Sequence, residues 1–210
     1  MSRAAAVKAR REPSPEQWRR GRPLPDGAAS VALDIDGVLG GYLDALARMA
    51  WGRTLPEPSS YQVWTDPAWP VDDEQAFMRI HGEAVGKGLY ASEECDPGMA
   101  WLSQRLVTGD APMRLDVVTS RRDDGGTVTR DWLRRHRIAY DDLVHVDRPT
   151  DKALLGYDVV IDDDPAVLAA VRCMGELAVA PPRRWVRDLG FVTCGDGVAM
   201  EAMIRALIGV

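Results

Sequence analysis

Two carboxylates stand at the end of an apolar segment near the start of the chain. In residues 31–40, VALDIDGVLG, Asp34 and Asp36 are separated only by Ile35 and are followed by Gly37. Side chains of this type in a small volume can bind a hard divalent cation. A tight turn is the alternative, but it accounts for one acid and not for two on an apolar strand. An EF-hand loop is excluded, because the third acidic position and the later glutamate of that loop are absent.

Polar residues also end two later apolar segments. MRLDVVTS ends in Thr119 and Ser120, and YDVVIDDD contains Asp162 and Asp163 directly after its apolar part. Lys152 precedes the second of these segments and is one of only three lysines in the chain. A lysine is a compact point charge that suits a phosphate or a metal-bound carboxylate. A surface lysine is the alternative, but its place before VVIDDD favours a role in the site.

These segments belong to an alternation of short apolar strands and helices. Strands are predicted at SVALDIDGVL, MRLDVVTS, LVHV, YDVVI and ELAVA, and helices at GYLDALARMAWG, EQAFMRIHGEAVGKGLY, PGMAWLSQRLV, TVTRDWLRRHRI, on both sides of YDVVI, and at GVAMEAMIRALI. In TVTRDWLRRHRI, Val128, Trp132, Leu133 and Ile138 are predicted to face inward. The pattern predicts an α/β fold, a doubly wound parallel sheet with helices on both faces.

In open parallel sheets, ligands bind outside the carboxyl ends of the strands. If the strands that end at Asp34, Thr119 and Asp162 are neighbours, their ends bring acids, a hydroxyl and Lys152 into one crevice. Several buried acids in a small volume cannot all stay ionised without a cation. Mg²⁺ prefers oxygen ligands, so the sequence predicts a Mg²⁺ cofactor at this edge of the sheet.

Composition divides the chain into three parts. Residues 1–28 are rich in arginine and proline and are predicted to be a flexible or loosely docked basic arm, with a short helix at SPEQW. Residues 29–40 and 97–210 are predicted to form the core. Residues 41–96 are predicted to form a small, mostly helical cap inserted after the first strand. Trp64 lies in this cap, where it either stacks on a ring of the substrate or packs against other cap residues.

Four ordered motifs resemble those of the haloacid-dehalogenase-like phosphohydrolases. They are VALDIDGVL, VVTSR, the DK of PTDKALL, and VVIDDDP. The DxDGV form, the TSR after the second strand and the pattern DKALLGYDVVIDDDP look most like the 5'(3')-deoxyribonucleotidase branch. The resemblance covers roughly residues 30 to 170, with the order and approximate spacing of the motifs intact.

The resemblance implies a specific chemistry for the two acids of the first motif. Asp34 would attack the phosphorus and form an aspartyl-phosphate. Asp36 would protonate the leaving oxygen and then accept a proton from the water that hydrolyses the intermediate. The Asp34 side chain, the Asp36 backbone carbonyl and Asp162 would hold Mg²⁺.

The remaining motif residues would support this reaction. Asp163 would orient the metal-bound waters, while Thr119 and Lys152 would bind the phosphoryl oxygens. Ser120 and Arg121 would add contacts to the phosphate or to the leaving group. Thr119 and Ser120 can also be read as simple strand-end hydroxyls. Asp164 is better explained as the cap of the following helix, which Pro165 begins.

Composition limits the functional classes. The net charge of −6 provides no global basic field for nucleic acid, although the basic arm leaves such a partner open. The three cysteines are scattered and contain no CxxC, which argues against a disulfide framework or a zinc cluster. No apolar run approaches the roughly 20 residues of a membrane span, so a cytoplasmic location without a membrane partner is predicted. A homodimer is left open.

The predicted function is a Mg²⁺-dependent phosphomonoester hydrolase, a 5'-nucleotidase that acts on (deoxy)nucleoside monophosphates. Two alternatives remain among phosphatases, namely another small phosphorylated metabolite and the phosphate at a nucleic-acid end. A third alternative is a catalytically silent binding or assembly module with the same fold. The presence of Asp34, Asp36, Lys152 and Asp162 together argues against a silent module, which has no chemical need of the whole set.

Overall fold

A seven-stranded sheet organises the molecule. The structure, a computed structural model, describes residues 10–13, 26–122 and 126–209. The strands are β1 Arg10–Pro13, β2 Ser30–Leu33, β3 Arg114–Thr119, β4 Asp142–His145, β5 Val159–Ile161, β6 Leu177–Ala180 and β7 Val192–Thr193. Their order in the sheet is β1-β4-β3-β2-β5-β6-β7. Strands β2 to β7 run parallel, and β1 pairs with β4 in the antiparallel direction.

Seven α-helices connect and cover the strands. They are α1 Tyr42–Trp51, α2 Glu74–Gly86, α3 Leu89–Ser92, α4 Pro97–Thr108, α5 Thr127–Arg135, α6 Pro165–Met174 and α7 Gly197–Ile208, all within the described ranges. Two short 3-10 turns lie at Val63–Thr65 and Pro149–Leu154. Helices between parallel strands are the connections that such a sheet requires. The α/β fold predicted from the sequence is confirmed.

The central strands carry runs of consecutive apolar residues because both faces of the sheet are covered. Val31 and Leu33 of β2 belong to one hydrophobic cluster, whereas Ala32 between them belongs to a second cluster. The same alternation places Val117 of β3 in the first cluster and Val118 in the second. Successive residues of a strand point to opposite faces, so a strand buried on both sides needs a continuous apolar run.

The segment between β2 and β3 forms a helical layer with two hydrophobic clusters of its own. One cluster joins α1 to α2 and α3 through Leu46, Ala84 and Leu89, and the other packs around Val63 and Trp69. The side chain of Asp73 accepts a hydrogen bond from the Ala76 amide and caps α2. We refer to residues 41–96 as the cap, because they leave and return to the sheet beside β2.

The two ends of the cap are paired with each other. The amide of Gly41 donates to the carbonyl of Glu94 at 2.9 Å, and the amide of Asp96 donates to the carbonyl of Leu39 at 2.8 Å. A β-bridge joins Gly40 to Cys95 between these bonds. The entry to the cap and the exit from it therefore form one short two-stranded connection, which we call the hinge.

Several details differ from the sequence-based expectations. Val128 is exposed, because the buried stripe of α5 runs through Thr129, Trp132 and Leu133 instead. The edge strands β1 and β7 have no strong apolar pattern and were not predicted. β1 falls within the predicted arm, whose other residues up to 25, including the helix expected at SPEQW, lie outside the described residues. In the part of the chain that the structure describes, no helix combines the length and the apolar character needed to cross a membrane.

Candidate active site

Three adjacent strands end at the same edge of the sheet and carry the predicted site residues. β2 lies between β3 and β5, with Leu33 in register with Val117 on one side and with Ile161 on the other. The amide of Asp34 continues the ladder by donating to the Ile161 carbonyl at 3.0 Å. Asp34, Thr119 and Asp162 therefore follow neighbouring strands, which is the juxtaposition that the sequence predicts.

Three carboxylates converge at the ends of β2 and β5. Asp34, Asp162 and Asp163 each offer an oxygen, and these oxygens lie within 4.8 Å of one another. All three residues are buried. We call them the acidic cluster.

Lys152 neutralises part of this cluster. Its Nζ lies 2.7 Å from Asp34 Oδ1 and 2.7 Å from Asp162 Oδ2, and its side chain is 3% exposed. The 3-10 turn at Pro149–Leu154 brings the lysine to the end of β5. Burial alone would lower the pKa of Lys152, but Asp162 and Asp34 together raise it above its usual value, so the ammonium form persists.

One ammonium group does not balance three buried carboxylates. Burial, together with the charges of Asp162 and Asp36, raises the pKa of Asp34 to about 7 against the opposing effect of Lys152. Burial, followed by the charges of Asp162 and Asp34, also raises the pKa of Asp163 well above its usual range. An excess of negative charge on oxygen donors, held together without solvent, fits a hard divalent cation such as Mg²⁺.

The turn after Asp36 requires glycine. Gly37 has a φ of 78°, and a Cβ atom placed there would lie 2.0 Å from Asp163 Oδ2. The Gly37 carbonyl accepts hydrogen bonds from Arg183 Nε at 2.8 Å and from Arg183 Nη2 at 2.5 Å. Trp185 Nε1 donates to the Asp163 carbonyl at 2.8 Å. The loop after β6 therefore fixes both the turn and the acid that the turn contacts.

A glycine substitution tests this close contact. Gly37→Ala should lower the free energy of unfolding by about 3 kcal/mol, because backbone strain and overpacking against Asp163 add together. It should also weaken Mg²⁺ binding, since Asp163 has to move. Gly52→Ala is the matched control, with a φ of 67° and no neighbouring atom within 4 Å of the added Cβ.

The control should cost about 1 kcal/mol for strain alone and leave Mg²⁺ binding unchanged. Urea unfolding and calorimetric titration with Mg²⁺ measure the two effects. Equal behaviour of the two variants would contradict the role assigned to the Gly37–Asp163 contact.

Asp36 points away from the acidic cluster and toward a different partner. Arg121 Nε lies 3.0 Å from Asp36 Oδ1 and 3.2 Å from Oδ2, and Arg121 Nη2 lies 2.6 Å from Oδ1. Arg121 Nη2 also donates to Glu93 Oε2 at 2.6 Å. The side chain of Asp36 is 29% exposed, whereas those of Arg121 and Glu93 have no exposed surface. Metal binding by Asp36 is therefore left to its carbonyl, which stays a prediction.

Thr119 and Ser120 lie beside these groups at the end of β3. The Thr119 hydroxyl is buried and accepts a hydrogen bond from the Arg121 amide at 3.1 Å. Ser120 is half-buried next to it. A hydroxyl at this point can donate to a phosphoryl oxygen above the ends of β2 and β3, and the contacts of both residues with a substrate stay predictions.

Comparisons with known proteins bear on the fold. No protein-family model matches the sequence, and no curated protein matches it. A haloacid dehalogenase-like family hydrolase from Streptococcus pneumoniae has a TM-score of 0.59 at 12% identity, covering 85% of this chain and 99% of that chain. An L-2-haloacid dehalogenase has a TM-score of 0.56 at 15% identity, and the match covers 86% of this chain and 100% of that chain. A HAD family hydrolase from Deinococcus radiodurans, with bound phosphate and sodium, has a TM-score of 0.54 at 15% identity. The match covers 85% of this chain and 96% of that chain.

The fold is that of the haloacid-dehalogenase-like hydrolases. The low identities establish the fold alone, and the matching structures include a dehalogenase, so the reaction has to be argued from the site. The comparisons do not distinguish the deoxyribonucleotidase branch that the motifs resemble.

The cap of this haloacid-dehalogenase-like fold reaches the acidic edge through a residue that the sequence did not single out. The Tyr61 hydroxyl lies near Asp163 and Asp164, and burial followed by the charges of these two residues raises the pKa of Tyr61 above its usual value. Its ring centroid lies 6.4 Å from that of Trp185. Asp164 also caps α6 by accepting from the Ala166 amide at 2.8 Å, which confirms the structural role predicted for it.

Trp64 lies deeper in the cap than Tyr61. Its ring centroid is 5.6 Å from that of Phe77, and it packs against the cluster around Val63 and Trp69. These contacts account for the residue as cap packing, the second of the two explanations left open by the sequence. A contact between Trp64 and a substrate stays a prediction.

Sequence reasoning found the residues that follow strands and missed those that reach the site from loops. Glu93, Tyr61 and Arg183 occupy irregular segments in which periodicity carries no information. The glutamate is the most informative omission, because burial and the charge of Asp36 raise its pKa to about 9 despite the adjacent Arg121. The absence of a side chain at Gly40 leaves room for it, because an added Cβ there would lie 2.3 Å from Glu93 Oε2.

Proposed function

We propose that this chain is a Mg²⁺-dependent phosphomonoester hydrolase that forms an aspartyl-phosphate on Asp34. The observation that carries the proposal is the separation of the two motif acids into different environments. Asp34 lies in the acidic cluster with Lys152 at 2.7 Å, whereas Asp36 lies outside the cluster on Arg121. Two acids with different surroundings can take different roles, one as nucleophile and the other as acid and base.

Each residue has a defined task in this reaction. The Asp34 carboxylate attacks the phosphorus while the bond to the leaving oxygen breaks, and Asp36 gives its proton to that oxygen. Asp36 then accepts a proton from a water molecule that attacks the phosphorus, which releases phosphate and restores Asp34. Lys152 and the Thr119 hydroxyl hold phosphoryl oxygens during both steps.

The acidic cluster is the place for the metal ion. Asp34, Asp162 and Asp163 would hold Mg²⁺, with the Asp36 carbonyl as the further ligand that the motif resemblance implies. When bound, the ion offsets the repulsion between an anionic nucleophile and an anionic phosphate.

We propose a (deoxy)nucleoside monophosphate as the substrate. The resemblance of DxDGV, TSR and DKALLGYDVVIDDDP to the 5'(3')-deoxyribonucleotidases supports this choice. The pair of aromatic rings formed by Tyr61 and Trp185 beside Asp163 and Asp164 also supports it, since a nucleobase can stack on such rings. Closure of the cap over the substrate would exclude bulk water from the phosphorus.

A substrate panel tests the proposal. Purified chain is incubated with nucleoside 5'- and 3'-monophosphates, sugar phosphates, a DNA strand with a terminal phosphate and an L-2-haloacid, each with Mg²⁺ or with EDTA. We expect phosphate release from a nucleoside monophosphate that requires Mg²⁺ and stops with EDTA. Halide release would instead indicate a dehalogenase, and activity on the DNA end that falls steeply with salt would indicate a nucleic-acid substrate. No product from any member would support a catalytically silent module.

A further inference from the structure

Arg121 is placed where it can act on the reaction only through another side chain. Its side chain has no exposed surface, and its guanidinium carbon lies 4.5 Å from the ring centroid of Tyr90 and 5.6 Å from that of Trp132. Its Nε and Nη2 both contact the Asp36 carboxylate. A guanidinium fork holds a carboxylate at two points and so fixes its plane as well as its position.

Glu93 contacts the same nitrogen of Arg121 that contacts Asp36. The Arg121 Nη2–Glu93 Oε2 distance is 2.6 Å, and neither side chain is exposed. The backbone of Glu93 is fixed in turn, because its carbonyl accepts from Trp132 Nε1 at 2.9 Å. Glu93 precedes the hinge residues Glu94 and Cys95, so the return segment of the cap anchors the arginine.

Stability alone is a poor explanation for this arrangement. Burying charged groups costs several kcal/mol each in desolvation, of the order of what their attraction returns, and apolar replacements of similar volume are often no less stable. The arrangement does have a use at Asp36, which is the one member of the three with an exposed face. A carboxyl group held at a fixed angle at the edge of the crevice is what proton transfer to a leaving oxygen requires.

We infer that Arg121 is a positioning residue that orients Asp36 for proton transfer, and that Glu93 anchors Arg121. The inference rests on the proposed phosphomonoester hydrolysis and assigns Arg121 a role other than the substrate contact that the motif resemblance implies. Asp36 donates its proton to the leaving oxygen as the P–O bond breaks. Arg121 neither donates nor accepts a proton in that step, and Glu93 does not contact the substrate.

Leaving-group dependence tests the inference. kcat/KM is measured for native chain and for Arg121→Lys with an alkyl phosphate, the best nucleoside monophosphate of the panel, and with 4-nitrophenyl phosphate. The nitrophenolate leaves without a proton, whereas the alkoxide needs one. Since kcat/KM reports the steps up to P–O cleavage, we expect it to fall about 100-fold for the alkyl phosphate and less than about 5-fold for the aryl phosphate, given what general acids contribute.

Matched variants separate positioning from loss of structure. Arg205→Lys is the control, because Arg205 is also largely buried and bonded to a carboxylate, Glu201, but lies on α7. It should leave the ratio of the two kcat/KM values unchanged. Glu93→Gln should change the ratio by about 10-fold in the same direction as Arg121→Lys, and Glu201→Gln is its control. If Arg121→Lys does not fold, Glu93→Gln alone tests the inference. Thermal melts of all variants verify folding.

The outcomes decide between distinct roles. Equal losses on both substrates would indicate that Arg121 binds the phosphate that they share, and would overturn the inference while leaving the proposed function intact. An unchanged ratio in both Arg121→Lys and Glu93→Gln would also overturn it. A native chain that releases no phosphate from either substrate would overturn the proposed function, and the inference with it.

Discussion

Asp34→Asn should lower the rate of phosphate release by about 10⁴-fold or more, because an amide cannot act as the nucleophile that forms the phosphoryl intermediate. The substitution keeps the size of a side chain that is 9% exposed, and the contact of Asp34 in the ladder is made by its backbone amide, so the fold should persist. Initial rates on the best substrate of the panel measure the loss. Acid-quenched native chain should carry one phosphoryl group by mass spectrometry, and the variant should carry none.

Asp116→Asn is the matched control for that variant. Asp116 is a fully buried aspartate on β3, where Tyr157 Oη donates to it at 2.6 Å and Arg114 lies beside it. It is three positions before Thr119, on the side of the strand away from the acidic edge. The control should be less stable than the native chain but equally active per folded molecule. An Asp34→Asn chain with more than about a tenth of native activity would exclude Asp34 as the nucleophile.

Lys152→Met should have the largest effect on stability, and its size should depend on Mg²⁺. Without the ammonium group, the three carboxylates of the acidic cluster are buried with no positive neighbour at 2.7 Å. In EDTA we expect the free energy of unfolding to fall by about 3–5 kcal/mol, the usual cost of removing one partner of a buried ion pair. Saturating Mg²⁺ should restore part of the loss, because a ligand that binds only the native state stabilises it.

Denaturant unfolding with EDTA and with Mg²⁺ measures this dependence. The free energy of unfolding that Lys152→Met loses in EDTA should be smaller in acid than at neutral pH. The pKa values of Asp34 and Asp163 are already raised in the folded chain, so these groups become neutral as the pH falls and need no counter-charge. Phosphate release should fall about 10³-fold even with Mg²⁺, because a charge on the phosphoryl oxygens is lost.

Lys87→Met is the control for the lysine substitution. Lys87 is exposed at the C-terminal end of α2, and its replacement should change neither stability nor activity beyond small surface effects. If Lys152→Met were as stable as Lys87→Met in EDTA, the ammonium group would not be the counter-charge of the acidic cluster.

The strands and the residues that follow them could be predicted from the sequence because they depend on neighbours along the chain. A strand covered on both faces needs a continuous apolar run, as in Val31–Leu33 and Val159–Ile161, and such a run can be recognised without knowing what covers it. Parallel order then forces the residues after neighbouring strands to one edge. Asp34, Thr119 and Asp162 could therefore be predicted as neighbours from chain order and polarity.

The surroundings of each acid were decided only by tertiary structure. The sequence grouped Asp34 with Asp36, whereas the fold gives Asp34 to Lys152 and Asp36 to Arg121 and Glu93. In an irregular segment, side chains point in directions that do not follow the regular periods of a helix or a strand. The path of the cap, and not any motif, brings Glu93 against Gly40 and Tyr61 near Asp164.

By itself, the sequence determined the α/β alternation, the strands that end in acids and a hydroxyl, and the lysine that precedes the last of them, because each depends on neighbours along the chain. The tertiary structure decided which acid is sealed in a charged cluster and which is held on a buried arginine. That division depends on the contacts of Arg121 with Glu93, which is 28 positions away along the chain, and with Asp36, which is 85 positions away. The free energies of these contacts arise only when the cap and the sheet come together.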